Sequence, residues 1–141
     1  MQPNRGGPDD RPLEGRTVLV AEDEARLRTI IVMMLEELGA SVIAVSDCET
    51  AVAEYKSHLP GIDIVILDLR LKGVSGVQAY KGLLAIDPGA KVVISSGVTP
   101  DEDVLESLRQ HGGCFIEKPF NLMKLGDALV SVLEGRAAPT Y

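Results

Sequence analysis

Five side chains in this sequence have the types and placement to do chemistry. Glu22 and Asp23 stand together in VLVAEDE (18–24), and Asp68 ends an apolar run in DIVILDLRLKG (63–73). Ser96 lies in VVISSG (92–97) and Lys118 in FIEKPF (115–120). Brought to one place they would form a cluster of three carboxylates, a hydroxyl and an ammonium. Two like unit charges about 4 Å apart repel by roughly 4 kcal/mol at an effective dielectric near 20. Three acids are therefore tolerated together only if one is protonated, if they point into water, or if a cation sits among them. Hard oxygen ligands that leave room for water and for substrate oxygens suit Mg²⁺. A dication would let Asp68 meet an anionic phosphoryl donor, Lys118 would neutralise a further phosphoryl oxygen, and Ser96 would donate a hydrogen bond to another. Those are the needs of phosphoryl transfer, in which a carboxylate can act as nucleophile and form an aspartyl phosphate.

Convergence requires a scaffold, and the pattern of apolar residues supplies one. Residues 18–21 read as a strand, followed by a helix with Leu27, Ile30, Ile31, Met34, Leu35 and Leu38 at helical spacing and Gly39 as its stop. Residues 41–45 read as a second strand, and Ser46 with Glu49 as a capping box for a helix running to about Ser57. A third strand is expected at 62–67, then a helix carrying Val77, Tyr80 and Leu84 that ends before Pro88. A fourth strand is expected at 91–95, followed by Thr99 as N-cap, Pro100 in the first turn, Glu102 as capping partner, and a helix end near Gly112. Residues 114–117 form the fifth strand, and Asn121 caps a last helix with Leu122, Leu125, Leu129 and Val132 on its apolar face. This βα unit repeats along the chain. Short, nearly all-apolar strands joined by helices are typically parallel and covered on both faces. The expected fold is a doubly wound α/β sandwich with its site beyond the carboxyl ends of the strands. All five reactive residues stand at such ends.

The totals agree with a single domain. The chain has 141 residues, 45% of them apolar and only 4% aromatic, so the core must be aliphatic. A formal net charge of −7 argues against nucleic acid and anionic membranes as main partners. Two cysteines, Cys48 and Cys114, lack metal-ligand spacing and fit a reducing compartment as ordinary small residues. No signal-peptide pattern and no membrane-length apolar run is present, so a cytoplasmic location is expected. Residues 1–15, rich in Pro, Gly and charge, read as a flexible linker, residues 16–134 as the folded domain, and residues 135–141 as a short tail. His58 and His111 fall near helix ends, as surface or helix-dipole partners, and Met33, Met34 and Met123 read as helix packing.

The four segments VLVAEDE, IVILDLRLKGVSG, VVISSG and FIEKPF, in that order and each at a strand end, resemble the receiver domain of bacterial two-component response regulators. The resemblance covers residues 17–133. It implies a flavodoxin-like (βα)₅ fold with a five-stranded parallel sheet in the order 2-1-3-4-5. It implies that Asp68 is the phosphoacceptor, served by a sensor histidine kinase or a histidine phosphotransfer protein, and that Mg²⁺ is held by Asp23 directly, Glu22 through water, Asp68, and the backbone carbonyl of Arg70. By the same resemblance Ser96 is the switch hydroxyl, Lys118 the phosphoryl-binding lysine and Phe115 the switch aromatic, and the Lys118–Pro119 bond is cis. The output face is then the fourth helix, fifth strand and fifth helix, through which a homodimer can also form. The Pro/Gly lead-in and the wording SSGV…CFIEKPF also resemble receivers attached to hybrid kinases.

Departures from the family pattern are few. Glu22 replaces an aspartate, Lys72 stands where proline is usual and Ser75 where aspartate is usual, which predicts a differently shaped loop after Asp68. Phe115 lacks a hydroxyl, which favours an inward ring before phosphorylation. Taken singly, each residue has a plain explanation. Glu22 and Asp23 would favour a helix N-terminus by roughly 0.3–1 kcal/mol each, Asp68 would end a strand, Ser96 and Lys118 would face solvent, and Phe115 would fill the core. Joint occurrence at one sheet edge is what decides against that.

Competing functions are a haloacid dehalogenase-like phosphotransferase or phosphatase, a flavodoxin-type cofactor binder, and a degenerate receiver acting only through contacts. The first wants an aspartate two residues after the nucleophile, where Arg70 stands. The second wants a phosphate-binding loop after strand one, where AEDEARLR would repel phosphate. Intact Asp68, Asp23 and Lys118 argue against the third.

Overall fold

The computed structural model describes residues 11–70, 75–137 and 140–141. The element order is β1 (Thr17–Ala21), α1 (Ala25–Glu37), β2 (Ser41–Val45), α2 (Cys48–Ser57), β3 (Ile64–Asp68), α3 (Gly76–Ile86), β4 (Val92–Ser96), α4 (Glu102–His111), β5 (Cys114–Glu117) and α5 (Leu122–Leu133). The strands form one parallel sheet in the order β2-β1-β3-β4-β5. This is the doubly wound arrangement expected from the alternation of elements, with the flavodoxin-like strand order that the family resemblance implies.

Strand alternation builds two apolar layers. Val18, Val20, Ile64, Ile66, Val93, Cys114 and Ile116 pack against Ile31 and Leu35 of α1 and Leu125, Leu129 and Val132 of α5. Their neighbours Leu19, Ala21, Val65, Leu67, Val92, Ile94 and Phe115 pack on the other face against α2, α3 and α4. Every residue of β3 and β4 is buried, which explains why those strands are unbroken apolar runs up to their polar ends. The register aligns those ends: Ala21 pairs with Leu67, Asp68 with Ser95, and Ser96 with Glu117.

Several local expectations are corrected. β3 begins at Ile64 and includes Asp68, and β4 runs through Ser96, so both polar ends belong to the ladder. The N-cap of α2 is Asp47, not Ser46: its carboxylate accepts the Thr50 N–H at 2.7 Å. A carboxylate there also gains from the helix dipole. α4 starts after Asp101, leaving Thr99 and Pro100 outside it. Asn121 caps α5 as expected, accepting from Lys124 N–H at 2.8 Å.

The lead-in expected over 1–15 is corrected at its C-terminal part; residues 1–10 lie outside the described residues. Leu13 is fully buried in the α1/α5 layer, and its N–H donates to the Leu38 carbonyl at 2.8 Å. At the other end, where a tail was expected over 135–141, the Tyr141 N–H donates to Phe115 carbonyl at 2.8 Å and the Tyr141 carbonyl accepts from Glu117 N–H at 3.0 Å. Thr140 and Tyr141 occupy the outer edge of β5, which would otherwise present unpaired strand groups.

Candidate functional site

The site forms where β1, β3, β4 and β5 end. Asp68 is the last residue of β3 and is buried, and its Oδ1 accepts the Arg70 N–H at 3.0 Å. The chain turns there, and α3 returns so close that a Cβ on Gly76 would lie 2.6 Å from Leu69 Cα and 2.7 Å from the Asp68 carbonyl. Only glycine permits that approach. Ser75, the noted departure, is the α3 N-cap, accepting from Gln78 N–H at 3.2 Å. Lys72 lies outside the described residues.

Glu22 follows β1 directly and is buried at 2% exposure. Its N–H donates to the Val45 carbonyl at 3.1 Å, its carbonyl accepts from Arg28 Nη1 at 2.8 Å, and its Oε2 accepts from Glu24 N–H at 3.1 Å. The remaining oxygen, Oε1, lies 3.0 Å from Lys118 Nζ, which is also 3.3 Å from Asp68 Oδ2. Asp23 is half-exposed beside them, and ligand oxygens of Glu22, Asp23 and Asp68 all lie within 4.8 Å of one another. An open cleft of about 520 Å³ exposes this cluster, with Arg70 and Val98 on its walls.

The charges explain one another. Burial pushes the Glu22 carboxyl above its ordinary range, against the opposing pull of Lys118 and the Glu24 N–H. Burial would lower the Lys118 ammonium, but its bonds to Glu22 and Asp68 win, and the net shift is upward. One ammonium against three carboxylates leaves the cluster negative. Closely spaced hard oxygens, two of the acids buried and one open to the cleft, suit a small divalent cation.

Ser96, expected as the switch hydroxyl, ends β4 next to Gly97 and Val98 of the cleft wall. Ser96, 1% exposed, accepts the Val98 N–H on its Oγ at 3.1 Å, and its carbonyl accepts the Lys118 N–H at 2.8 Å, tying the ends of β4 and β5 together. Phe115, expected as the switch aromatic, is buried at 3% exposure. The Lys118–Pro119 bond is cis, as expected; the Leu59–Pro60 bond is cis too. His58 caps α2, with Nδ1 2.8 Å from the Glu54 carbonyl, and His111 ends α4, with Nδ1 3.2 Å from the Pro88 carbonyl. His58 is exposed and His111 half-buried, both belong to other elements, and both cysteines are buried and outside any disulfide. Sequence reasoning missed Arg28, Gly76 and Ser95, which is buried beside Asp68 in register. Arg28 was legible only as a charge on the first helix.

The response regulator receiver domain family matches residues 18–130. The chain belongs to that family. As a receiver it is 30% identical over 119 residues to the chemotaxis protein CheY of Thermotoga maritima, covering 84% of this chain and 98% of that one. It is 30% identical to the phosphate regulon transcriptional regulatory protein PhoB of Escherichia coli over 84% of this chain, which is 52% of PhoB. Among solved structures, a CheX–CheY–BeF₃–Mg²⁺ complex from Borrelia burgdorferi superposes with TM-score 0.75 at 28% identity, over 83% of this chain and 88% of that one. A response regulator receiver protein from Sinorhizobium medicae gives 0.73 at 31% identity, over 88% and 98%. Receivers are signalling modules of two-component systems rather than enzymes in the ordinary sense, and neither the dehalogenase nor the cofactor-binder reading is favoured. Among the described residues no helix is long and apolar enough to cross a membrane.

Proposed function

We propose that Asp68 is the phosphoacceptor of this receiver. The observation that carries the reading is the Lys118 ammonium 3.3 Å from Asp68 Oδ2, in a cluster whose acids share a 4.8 Å neighbourhood. Asp68 Oδ2 attacks the phosphorus of a phosphohistidine on a sensor histidine kinase or a histidine phosphotransfer protein. A P–O bond forms, the P–N bond breaks, and the leaving imidazole takes a proton.

This chain's residues divide the work. The Arg70 N–H holds Oδ1 and so aims Oδ2 at the open cleft. Lys118 neutralises a phosphoryl oxygen, and Ser96 turns from the Val98 N–H to donate to another. Glu22, Asp23, Asp68 and the Arg70 carbonyl are the residues that would hold Mg²⁺. When bound, Mg²⁺ offsets the repulsion among the carboxylates and the charge of the incoming phosphoryl group. The same groups assist hydrolysis of the aspartyl phosphate. Phe115 lies on the sheet face shared with α4, so a shift of Ser96 is felt across α4, β5 and α5, the surface offered to targets or a second copy. The domain that does this spans 16–134 together with the docked Leu13, in the cytoplasm, alone or within a hybrid kinase.

The test uses the chemistry of the product. After incubation with a phosphorylated histidine kinase and Mg²⁺, the chain should carry a label that hydroxylamine removes, because acyl phosphates are cleaved and phosphoserine is not. A hydroxylamine-resistant label would move the acceptor to a hydroxyl group and overturn the proposal.

A further inference from the structure

Ser95 is 1% exposed, and its hydroxyl has no hydrogen-bond partner among the described residues. Its backbone is engaged, since the carbonyl accepts the Leu69 N–H at 3.1 Å. A buried hydroxyl left unpaired carries a desolvation cost that alanine would avoid. Such a group calls for a use.

Its place indicates one. Side chains alternate across a strand. Val93 lies in the α1/α5 layer, so Ser95, two residues on, projects to that side. Ile64 and Ile66 put Asp68 on the same side, and Cys114 and Ile116 do so for Lys118. Ser96 falls on the opposite side with Val92 and Ile94. Ser95 pairs in register with both Asp68 and Ile116, and Ile116 stands two residues before Lys118. An ammonium has three N–H donors. Glu22 Oε1 and Asp68 Oδ2 receive Lys118 at 3.0 and 3.3 Å, which leaves one donor to place.

We propose that Ser95 is a positioning residue for Lys118: when the site is loaded a phosphoryl oxygen takes the N–H that Asp68 Oδ2 receives in the free protein, Glu22 keeps the second, and the Ser95 hydroxyl accepts the third, which keeps Lys118 turned toward the phosphoryl group. This rests on the phosphoacceptor reading. Ser95 touches no reacting atom. The unpaired hydroxyl of the free protein is the cost of a bond made only in the loaded one.

Replacing Ser95 therefore acts with opposite sign on the two states. In chelator, Ser95→Ala should melt at or above the wild-type temperature, because an unpaired hydroxyl has been removed. With Mg²⁺ and beryllofluoride, which mimics the phosphoryl group, half-maximal thermal stabilisation should need on the order of tenfold more ligand, the scale of one lost bond to a charged group. Ser95→Thr, which restores the hydroxyl, should recover most of that loss. An unchanged dose dependence for Ser95→Ala, or a lower melting temperature in chelator together with weaker binding, would overturn the role. If the wild type itself shows no stabilisation by Mg²⁺ and beryllofluoride, the phosphoacceptor reading fails first, and this inference with it.

Discussion

Glu22 and Lys118 are 96 residues apart in the chain and 3.0 Å apart at the site. Their pairing closes the edge of the sheet, because one follows β1 and the other follows β5, with β3 and β4 between them. Glu22 is almost fully buried, and Lys118 keeps 22% of its side chain exposed. Removing one partner of such a pair leaves the other charge uncompensated.

Lys118→Met should therefore destabilise the domain at neutral pH by about 1–3 kcal/mol, less than for a fully buried pair because Lys118 is partly solvated. The sign with pH follows from Glu22. Its folded pKa is raised above 4.5, so the folded state holds the proton more tightly than the unfolded chain does. Stability then falls as pH rises from 4.5 through the folded pKa. Without Lys118 that pKa rises further and the fall deepens. Urea titrations of both proteins across pH 4–8 read this directly; a variant loss that does not shrink on acidification would contradict it.

Gly76 lets α3 sit on the backbone that follows Asp68. A methyl group there would meet Leu69 Cα and carbonyl at 2.6 Å, and backbone cannot step aside as a flexible side chain can. Gly76→Ala should displace the turn, destabilise the fold by roughly 1–3 kcal/mol, and slow Asp68 phosphorylation at least tenfold. Phosphorylation kinetics on the folded fraction check it, and a wild-type rate would show that the turn tolerates the shift.

Leu13 extends the core beyond β1. Leu13→Ala should cost about 2–4 kcal/mol, seen as a lower urea midpoint with unchanged slope. A loss below half a unit would mean that residues 11–15 are not docked in solution.

Cys114 gives a test at alkaline pH. Burial pushes its thiol from 9.0 up to about 12 in the folded protein. A raised acid holds its proton longer when folded, so stability falls as pH rises between those values, by up to about 1.4 kcal/mol per pH unit. Cys114→Ala removes this component. The difference between the two proteins should therefore narrow from pH 9 to 11, and a constant difference would contradict the burial of the thiol.

Much of this was legible in the sequence, for reasons that differ by feature. The strands of a doubly wound sheet are buried on both faces, so apolar runs such as 64–67 announced them, and polar residues at the run ends marked the site. The caps of α2 and α4 were misplaced because serine, threonine and aspartate compete for the same position, and only backbone geometry chose Asp47 and Asp101. Leu13 was missed because a single leucine among Pro12, Arg11 and Glu14 has no period to reveal it. The contacts of Tyr141 with β5 were missed because main-chain pairing at a sheet edge needs no side-chain pattern. Ser95 was hidden behind Ser96: two adjacent serines look alike in the sequence, and only the pleat separates one toward the α1/α5 layer from the other.

The most direct measurement is intact-protein mass spectrometry after treatment with a small phosphodonor such as phosphoramidate, with Mg²⁺ or chelator. The wild type should gain the mass of one phosphoryl group with Mg²⁺ and little without it, and Asp68→Asn, still folded by circular dichroism, should gain none. A folded wild type that stays unmodified, or an Asp68→Asn variant that takes up the phosphoryl group equally, would contradict Asp68 as the acceptor.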